Sequence, residues 1–102
     1  MLRSFVHDVA FTPDAVRQFR KLPKAARAFV KDAVRVHLRD GDPAQPTRNK
    51  FRLRRASPHA DYELRAEQWR IFYRYDGKDV LVTLIGEKRG EALLVEGEEL
   101  KL

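Results

Sequence analysis

The sequence predicts an α+β fold. Two N-terminal helices are predicted to pack on one face of an antiparallel sheet of four or five strands, in which an edge strand can pair in parallel. Apolar residues recur at helical spacing between residues 13 and 40, and they alternate with polar residues in most later segments. Connections of only a few residues join those later segments, and such short connections pair strands as antiparallel neighbours. Two helices cover only one face of such a sheet, so the other face is predicted to meet water or a partner.

The first strand leads directly into the first helix. Residues 5–11, FVHDVAF, alternate as a strand with one buried face does. Thr12 is then suited to cap a helix, Pro13 to occupy its first position and Asp14 to lie in its first turn. Pro23 disfavours a helical conformation at the residue before it, so the first helix is predicted to end there.

The second helix is predicted to run from Pro23 or Lys24 to about Asp40. Its buried face is predicted to consist of Ala26, Phe29, Val30, Ala33, Val36 and His37. Cations spaced by four residues line another edge: Arg27, Lys31, Arg35 and Arg39. Like charges at this spacing repel by roughly a few tenths of a kcal/mol per pair, a cost that an anionic partner would offset. The edge is therefore either an ordinary solvated surface or a binding surface for nucleic acid.

The remaining segments are predicted to be strands. KFRLRR at 50–55 predicts Phe51 and Leu53 facing the helices, with Lys50, Arg52 and Arg54 facing outward. DYELRAEQWRIFYRY at 61–75 predicts a hairpin, VLVTLIG a central strand, and ALLVE a short final strand. Outward positions of the hairpin include Glu63, Arg65, Arg70, Phe72 and Arg74.

The outward face is thus predicted to carry many arginines and one aromatic ring. Guanidinium groups bind phosphate with paired hydrogen bonds, and both they and aromatic rings stack on bases. Alternatively, Arg65, Arg70 and Arg74 pair across the strands with Asp61, Glu63 and Glu67. The predicted nucleic-acid-binding residues are Arg27, Lys31, Arg35, Arg39, Lys50, Arg52, Arg54, Arg74 and Phe72.

The length and the charge of the chain limit the classes of function that it can have. The 102 residues are predicted to form one domain, 1–102. The net charge is +6, and it is uneven: residues 1–60 hold 14 Lys and Arg against 5 Asp and Glu, whereas residues 61–102 hold 7 against 10. This excess favours a polyanionic partner, most simply nucleic acid. With no cysteine, no bilayer-length apolar run and no signal-peptide pattern, a cytoplasmic protein without a membrane or thiolate metal site is expected.

The motifs in the C-terminal half, and the order in which they occur, resemble those of the RelE/ParE superfamily of bacterial type II toxin–antitoxin toxins. The pattern is a hydrophobic–Arg pair (Leu64–Arg65), a short turn, an aromatic–Arg pair (Trp69–Arg70) and hydrophobic-x-Tyr (Ile71–Tyr73). A valine-rich strand ending in Gly and a basic residue follows, as VLVTLIGEKR does. The basic two-helix segment with its RKLPKAAR junction extends the resemblance over nearly the whole chain.

The resemblance implies a RelE-like fold and a cognate antitoxin that wraps the toxin. Members of the RelE branch cut mRNA in the ribosomal A site without metal, so the resemblance implies a metal-independent endoribonuclease that inhibits translation and needs no cofactor. Members of the ParE branch poison DNA gyrase instead. The superfamily is also associated with plasmid stabilisation.

Candidate catalytic residues follow from the resemblance and from the chemistry of RNA cleavage. The reaction needs a base for the 2′-hydroxyl, cations for the phosphate and an acid for the leaving oxygen. Arg70 is the candidate for phosphate stabilisation, and either Lys88 or Arg89 is the basic residue after the last long strand. Glu63, or else His59, is the candidate base, and the acid is unassigned.

Two departures from the nuclease pattern keep other functions open. Asp61 and Glu63 stand where RelE-type nucleases usually carry lysines, and EALLVEGEELKL lacks the Tyr often found near the C-terminus. The alternatives are a gyrase-directed toxin of the ParE type and a non-catalytic module of the same fold that binds nucleic acid or an antitoxin.

Overall fold

The fold consists of a seven-stranded sheet and a two-helix segment, seen in a computed structural model that describes residues 7–102. Phe5 and Val6, which the sequence assigns to the first strand, lie outside the described residues. The elements are β1 Val9–Phe11, α1 Pro13–Arg20, α2 Lys24–Val34, a π-helical turn Arg35–Arg39, β2 Lys50–Arg52, β3 Tyr62–Ala66, β4 Trp69–Tyr75, β5 Val80–Arg89, β6 Ala92–Val95 and β7 Glu98–Glu99.

Six strands follow one another as antiparallel neighbours in the order β2-β3-β4-β5-β6-β7. β1 lies apart from this order and pairs in parallel with the first part of β5, where Val9 is opposite Val80. The predicted α+β class, with mixed pairing at the edge, is confirmed. The strand number exceeds the predicted four or five; β1 to β6 match segments that the sequence identifies as strands, and the two-residue β7 is additional.

Local signals determine where the helices begin and end. The Thr12 hydroxyl accepts a hydrogen bond from the Ala15 N–H at 3.1 Å, so it caps α1 as expected. Pro23 separates the two helices, and α2 begins at Lys24. The Arg27 guanidinium then donates to the Leu22 carbonyl at 2.6 Å, which satisfies a backbone acceptor that the end of α1 leaves free.

The helix-covered face of the sheet holds the main core. From the strands it takes Leu64, Ile71, Tyr73, Val82 and Ile85, and from the helices it takes Ala15, Ala26, Val30, Val34 and Leu38. The predicted buried face of α2 is therefore partly wrong, because Phe29 and Val36 are 42% and 43% exposed. Within residues 7–102, β2 pairs only with Tyr62–Leu64, so β3 extends two residues past the start of β2 on the side where Phe29 and Val36 lie.

β2 faces the opposite way from the prediction. Lys50 is opposite Leu64 and Arg52 is opposite Tyr62, so both cations lie on the helix-covered face, while Phe51 shares the other face with Glu63. A shift of one residue exchanges the two faces of a strand. Lys50 is only 3% exposed and its ammonium donates to the carbonyls of His37 and Asp42, at 3.0 and 2.7 Å. The prediction that Lys50 faces outward to bind nucleic acid is wrong.

The second face, called here the outer face, carries a smaller apolar cluster. Phe72 is 1% exposed and packs with Ala60 and Leu84, and Leu53, Leu93, Val95 and Leu100 cover them. Gly86 permits this cover, because a Cβ there would lie 2.9 Å from Leu93 Cδ1 and 3.1 Å from Val95 Cγ2. The prediction that Phe72 is a free ring for stacking on bases is wrong, since the C-terminal strands bury it.

Candidate functional site

Charged side chains gather on the outer face beside the β3–β4 turn. In the strand register Arg65 is opposite Arg70, and Arg70 is opposite Gly86. Glu63 precedes Arg65 by two residues and Lys88 follows Gly86 by two, so alternation brings all four charged residues to one face. This group of Glu63, Arg65, Arg70 and Lys88 is called the hairpin cluster below.

The strand register distinguishes Lys88 from Arg89, which the sequence leaves open. Lys88 is opposite Leu93, a member of the outer-face cover, whereas Arg89 lies on the opposite face of β5 with Glu87. Arg89 is 69% exposed in its side chain and its Nε lies 3.2 Å from a Glu87 carboxylate oxygen. Of the two candidates, Lys88 is therefore the one that shares a face with Arg70.

One carboxylate oxygen joins the two arginines of the cluster. Glu63 Oε2 lies 3.0 Å from Arg65 Nε and 3.5 Å from Arg70 Nε. The side chains of Glu63 and Arg70 are only 12% and 14% exposed. Burial lowers the pKa of Arg70, the nearby Arg65 charge lowers it further and the Glu63 charge opposes both. The guanidinium nevertheless stays charged at any physiological pH.

Arg70 also braces the β3–β4 turn. The turn consists of two residues between Ala66 and Trp69, and Glu67 adopts a φ of 56°, a left-handed conformation that is uncommon outside glycine. Arg70 Nη1 donates to the Glu67 carbonyl at 2.7 Å and to the Trp69 carbonyl at 3.0 Å. Arg70 therefore stabilises the backbone that positions it.

All three hairpin arginines meet carboxylates, and the pairs of Arg70 and Arg74 cross the hairpin as the alternative predicted, whereas Arg65 meets Glu63 on its own strand. Arg65 and Arg70 meet Glu63 as described, and Arg74 Nη1 lies 3.3 Å from Asp61 Oδ1. Arg74 also donates to the Pro58 carbonyl at 2.6 Å. Arg52 in turn lies over the Tyr62 ring, 5.3 Å from its centroid, and Arg54 is exposed after the end of β2. The outer face is consequently less basic than the sequence predicts.

The four cations along α2 and the π-helical turn are not equivalent either. Arg27 binds the end of α1, and Arg35 lies 2.7 Å from Asp32 and 3.5 Å from Asp40. Within residues 7–102, Lys31 and Arg39 form no ion pair. These two side chains border a shallow groove of about 440 Å³ beside β1.

A cleft of about 580 Å³ lies between α2 and the β3–β4 hairpin. Its lining includes Arg65 and Arg70 together with residues that the sequence assigned to the core or left unassigned: Phe29, Val36, His37 and Asn49. Burial lowers the pKa of His37, and the Lys50 ammonium lowers it further against the opposing charge of Asp32. The exposure of Phe29 could not be read from helical spacing, because its apolar side chain fits the core pattern equally well.

A solved structure resembles this arrangement. The chain is similar to a chain in the crystal structure of the toxin–antitoxin complex RelBE2 from Mycobacterium tuberculosis, with 29% sequence identity and a TM-score of 0.60. The match covers 82% of this chain and 99% of that chain. It agrees with the Leu64–Arg65, Trp69–Arg70 and Ile71–Tyr73 motifs, which the structure places on the β3–β4 hairpin. The similarity supports a RelE-type toxin.

The motif that resembles the RelE/ParE superfamily has a clear structural basis. Leu64, Trp69, Ile71 and Tyr73 fill the helix-covered core, so the motif's apolar positions hold the hairpin against the helices. Its two arginines lie on the outer face. No protein-family model matches the sequence, and no curated protein matches it. Among residues 7–102, no helix is long and apolar enough to cross a bilayer.

Proposed function

We propose that this protein is the toxin of a type II toxin–antitoxin pair and that it cleaves ribosome-bound mRNA without a metal ion. The observation that carries the proposal is the hairpin cluster, where Arg70, Lys88 and the Glu63 carboxylate share one face beside a braced turn. Such a group combines fixed cations for a phosphate with a carboxylate that can take up a proton.

The proposed reaction is attack of a ribose 2′-oxygen on the adjacent phosphorus. The O2′–P bond forms, the P–O5′ bond breaks, and the products are a 2′,3′-cyclic phosphate and a 5′-hydroxyl. Arg70 and Lys88 stabilise the added negative charge on the phosphate, and Glu63 takes the 2′-proton. Both arginine contacts of Glu63 involve Oε2, which leaves Oε1 to act as the base. Solvent supplies the proton to the leaving oxygen in this scheme.

The proposed protein partner is a cognate antitoxin. The similar structure from M. tuberculosis is a toxin–antitoxin complex, and the present chain spans nearly all of the matched chain. Ribosomes and mRNA are the proposed targets because the described cations lie on a surface that polyanions can reach. A small acidic partner encoded beside this chain would support the pairing.

Induced expression in bacteria tests the proposal, with cell growth and primer extension on translated mRNA as readouts. Wild type should stop growth and produce cleavage within codons at the ribosomal A site. Lys88→Ala should lower cleavage about 100-fold, within the range for removing one group that stabilises transition-state charge. The matched control is Arg89→Ala, which removes the neighbouring cation from the opposite face and should cleave as wild type does.

Arg70→Ala is the second test variant. Because Arg70 also braces the turn, the purified variant is first checked by thermal unfolding, and Arg70→Lys retains a cation if the alanine variant is unstable. Arrested growth without any RNA cleavage by the wild type would contradict the nuclease proposal. Equal cleavage by wild type and by folded Arg70 and Lys88 variants would contradict the site.

A gyrase-directed toxin of the ParE type is the second candidate. The observation that favours it is the pairing of Glu63 with both Arg65 and Arg70, which neutralises charge that a nuclease would direct at phosphate. A supercoiling assay with purified gyrase distinguishes the two candidates. Inhibition of supercoiling without mRNA cleavage would favour the ParE type, and loss of both activities would leave a non-catalytic binding module.

A further inference from the structure

We propose that the cleft between α2 and the β3–β4 hairpin binds one nucleotide of single-stranded RNA, with its base stacked on Phe29 and its phosphate at Arg65 and Arg70. The inference rests on the proposed action on RNA and extends the substrate-binding surface from the two arginines of the outer face to the exposed ring of α2. It also supplies the aromatic platform that the sequence assigned to Phe72, which the C-terminal strands bury.

The size and lining of the cleft fit a nucleotide. Its volume of about 580 Å³ lies within the range of small-molecule sites, roughly 300–1,000 Å³. Apolar side chains of α2 form one wall, and the polar groups of Asn49, His37 and the hairpin arginines form the others. An aromatic and aliphatic wall facing hydrogen-bond donors matches a flat base attached to a charged phosphate.

Phe29 is a ring that the fold leaves uncovered. It is 42% exposed, although its position on α2 is beside the core residues Ala26 and Val30. Within residues 7–102, β2 pairs with β3 only as far as Leu64, and the ring lines the cleft beside the last residues of β3. Bases stack on such rings regardless of sequence, because every base presents a π-face.

The two arginines retain donors for a phosphate. Arg65 is 49% exposed in its side chain; its Nε meets Glu63, and its carbon Cζ lies 4.7 Å from the centroid of the Phe51 ring. Within residues 7–102, neither terminal nitrogen of Arg65 forms a hydrogen bond, and Arg70 Nη2 forms none. Glu63 and the Glu67 carbonyl hold the rest of both guanidinium groups in place, so these free donors are already oriented.

A segment of a partner protein is the alternative occupant of the cleft. An acidic amphipathic peptide would also match an apolar wall and two cations. Asp32 and Glu67 line the cleft as well and repel either anionic occupant. The exposed ring of Phe29 beside the free donors of Arg65 and Arg70 favours the nucleotide, because it pairs a platform for a base with donors for a phosphate. Binding of a protein segment instead of RNA is therefore an outcome that would overturn the proposal.

Fluorescence anisotropy with a labelled single-stranded RNA octamer tests the inference. A second octamer with the same backbone but no bases separates stacking from phosphate binding. Phe29→Leu should weaken binding of the intact octamer about tenfold, as expected for loss of one stacked base, and should leave binding of the abasic octamer unchanged. Phe29→Tyr keeps a ring and should bind as wild type does. Leu81→Ala is the matched control, since Leu81 is 37% exposed and lies outside the cleft.

The outcomes separate this inference from the proposed function. If wild type binds the intact octamer and Phe29→Leu binds it equally well, the cleft assignment is wrong while RNA binding stands. If Phe29→Leu weakens only the binding of an antitoxin, the cleft is a protein site and the inference is overturned. If wild type binds neither octamer and cleaves no RNA, both proposals fail.

Discussion

At the scale of single residues, Lys50 is a cation that stabilises the fold by binding backbone carbonyls and is not available to a ligand. Its ammonium donates to the carbonyls of His37 and Asp42, where the helical segment ends and the next loop begins. Helix ends leave carbonyl groups without intrahelical partners, and a cation there also matches the helix dipole. Burial lowers the pKa of Lys50 and the Asp42 charge opposes this shift.

Lys50→Met should therefore destabilise the protein. The variant keeps most of the apolar stem but leaves two backbone carbonyls without their donor, which costs about 1–3 kcal/mol of unfolding free energy. Urea denaturation measures the change. Lys31→Met, an exposed substitution on α2, is the control and should change the unfolding free energy by less than about 0.5 kcal/mol. Equal stability of wild type and Lys50→Met would contradict the capping role.

At the scale of elements, the C-terminal hairpin of β6 and β7 is tied to α1. Glu96, in the turn between the two strands, lies 2.8 Å from Arg17 and 2.6 Å from Lys21. Hydrogen bonds from Arg17 first, and from Lys21 next, lower the pKa of Glu96 from 4.5 to about 2. The same hairpin contributes Leu93 and Val95 to the cover of the outer-face cluster.

The stability supplied by Glu96 should depend on pH. Since its pKa is lower in the folded state, the stabilisation is complete above about pH 4.5 and is lost as the pH falls toward 2. Thermal unfolding midpoints of wild type and Glu96→Gln should thus differ at pH 6 and converge near pH 2. A constant difference across this range would show that the carboxylate charge contributes nothing to the attachment of the hairpin.

The elements also show what the sequence could predict. Thr12, Pro13 and Pro23 act locally, so the helix boundaries follow from the residues themselves. The direction in which β2 faces does not, because both faces of the sheet hold apolar clusters and alternation defines only a period.

The candidate site was predictable to a smaller extent. Arg70 follows from the motif order, but Lys88 and Arg89 are neighbours that only the strand register separates. The β4–β5 pairing shifts between Phe72 and Tyr73, and this irregularity decides which side chains of β5 share a face with Arg70. The exposure of Phe29 is a tertiary feature with no local signal, because this ring lies beside the last residues of β3, past Lys50, where β2 begins.

At the scale of the whole molecule, many of the cations behind the net charge of +6 already pair with carboxylates and are less free to bind a polyanion. Arg17, Arg35, Arg65, Arg74 and Arg89 all meet carboxylates within residues 7–102. Binding of a polyanion should therefore depend on the exposed cations that remain outside such pairs, of which Arg39 and Lys31 lie on the helical segment.

Arg39→Ala should reduce the salt dependence of RNA binding. If its guanidinium contacts a phosphate, the slope of log affinity against log salt concentration should fall in magnitude by roughly 0.7, the value for one contact on a single strand. Arg35→Ala should change the slope less, because Arg35 already meets Asp32 and Asp40. Lys101→Ala, in the acidic C-terminal region, is the control. An unchanged slope in Arg39→Ala would identify the surface of Lys31 and Arg39 as an ordinary solvated surface.

The dual position of Arg70 has a consequence for genetics. A selection for cells that survive induction would recover changes at Arg70 whether they abolish chemistry or merely collapse the Glu67 turn that it braces. Survivors at Arg70 would therefore say little about the toxic activity. Survivors at Phe29 or Lys88 would be more informative, since neither side chain bonds to that turn. The relative number of surviving variants at Phe29 and at Lys88 would thus show which of the two surfaces toxicity depends on more. This comparison does not require a purified target.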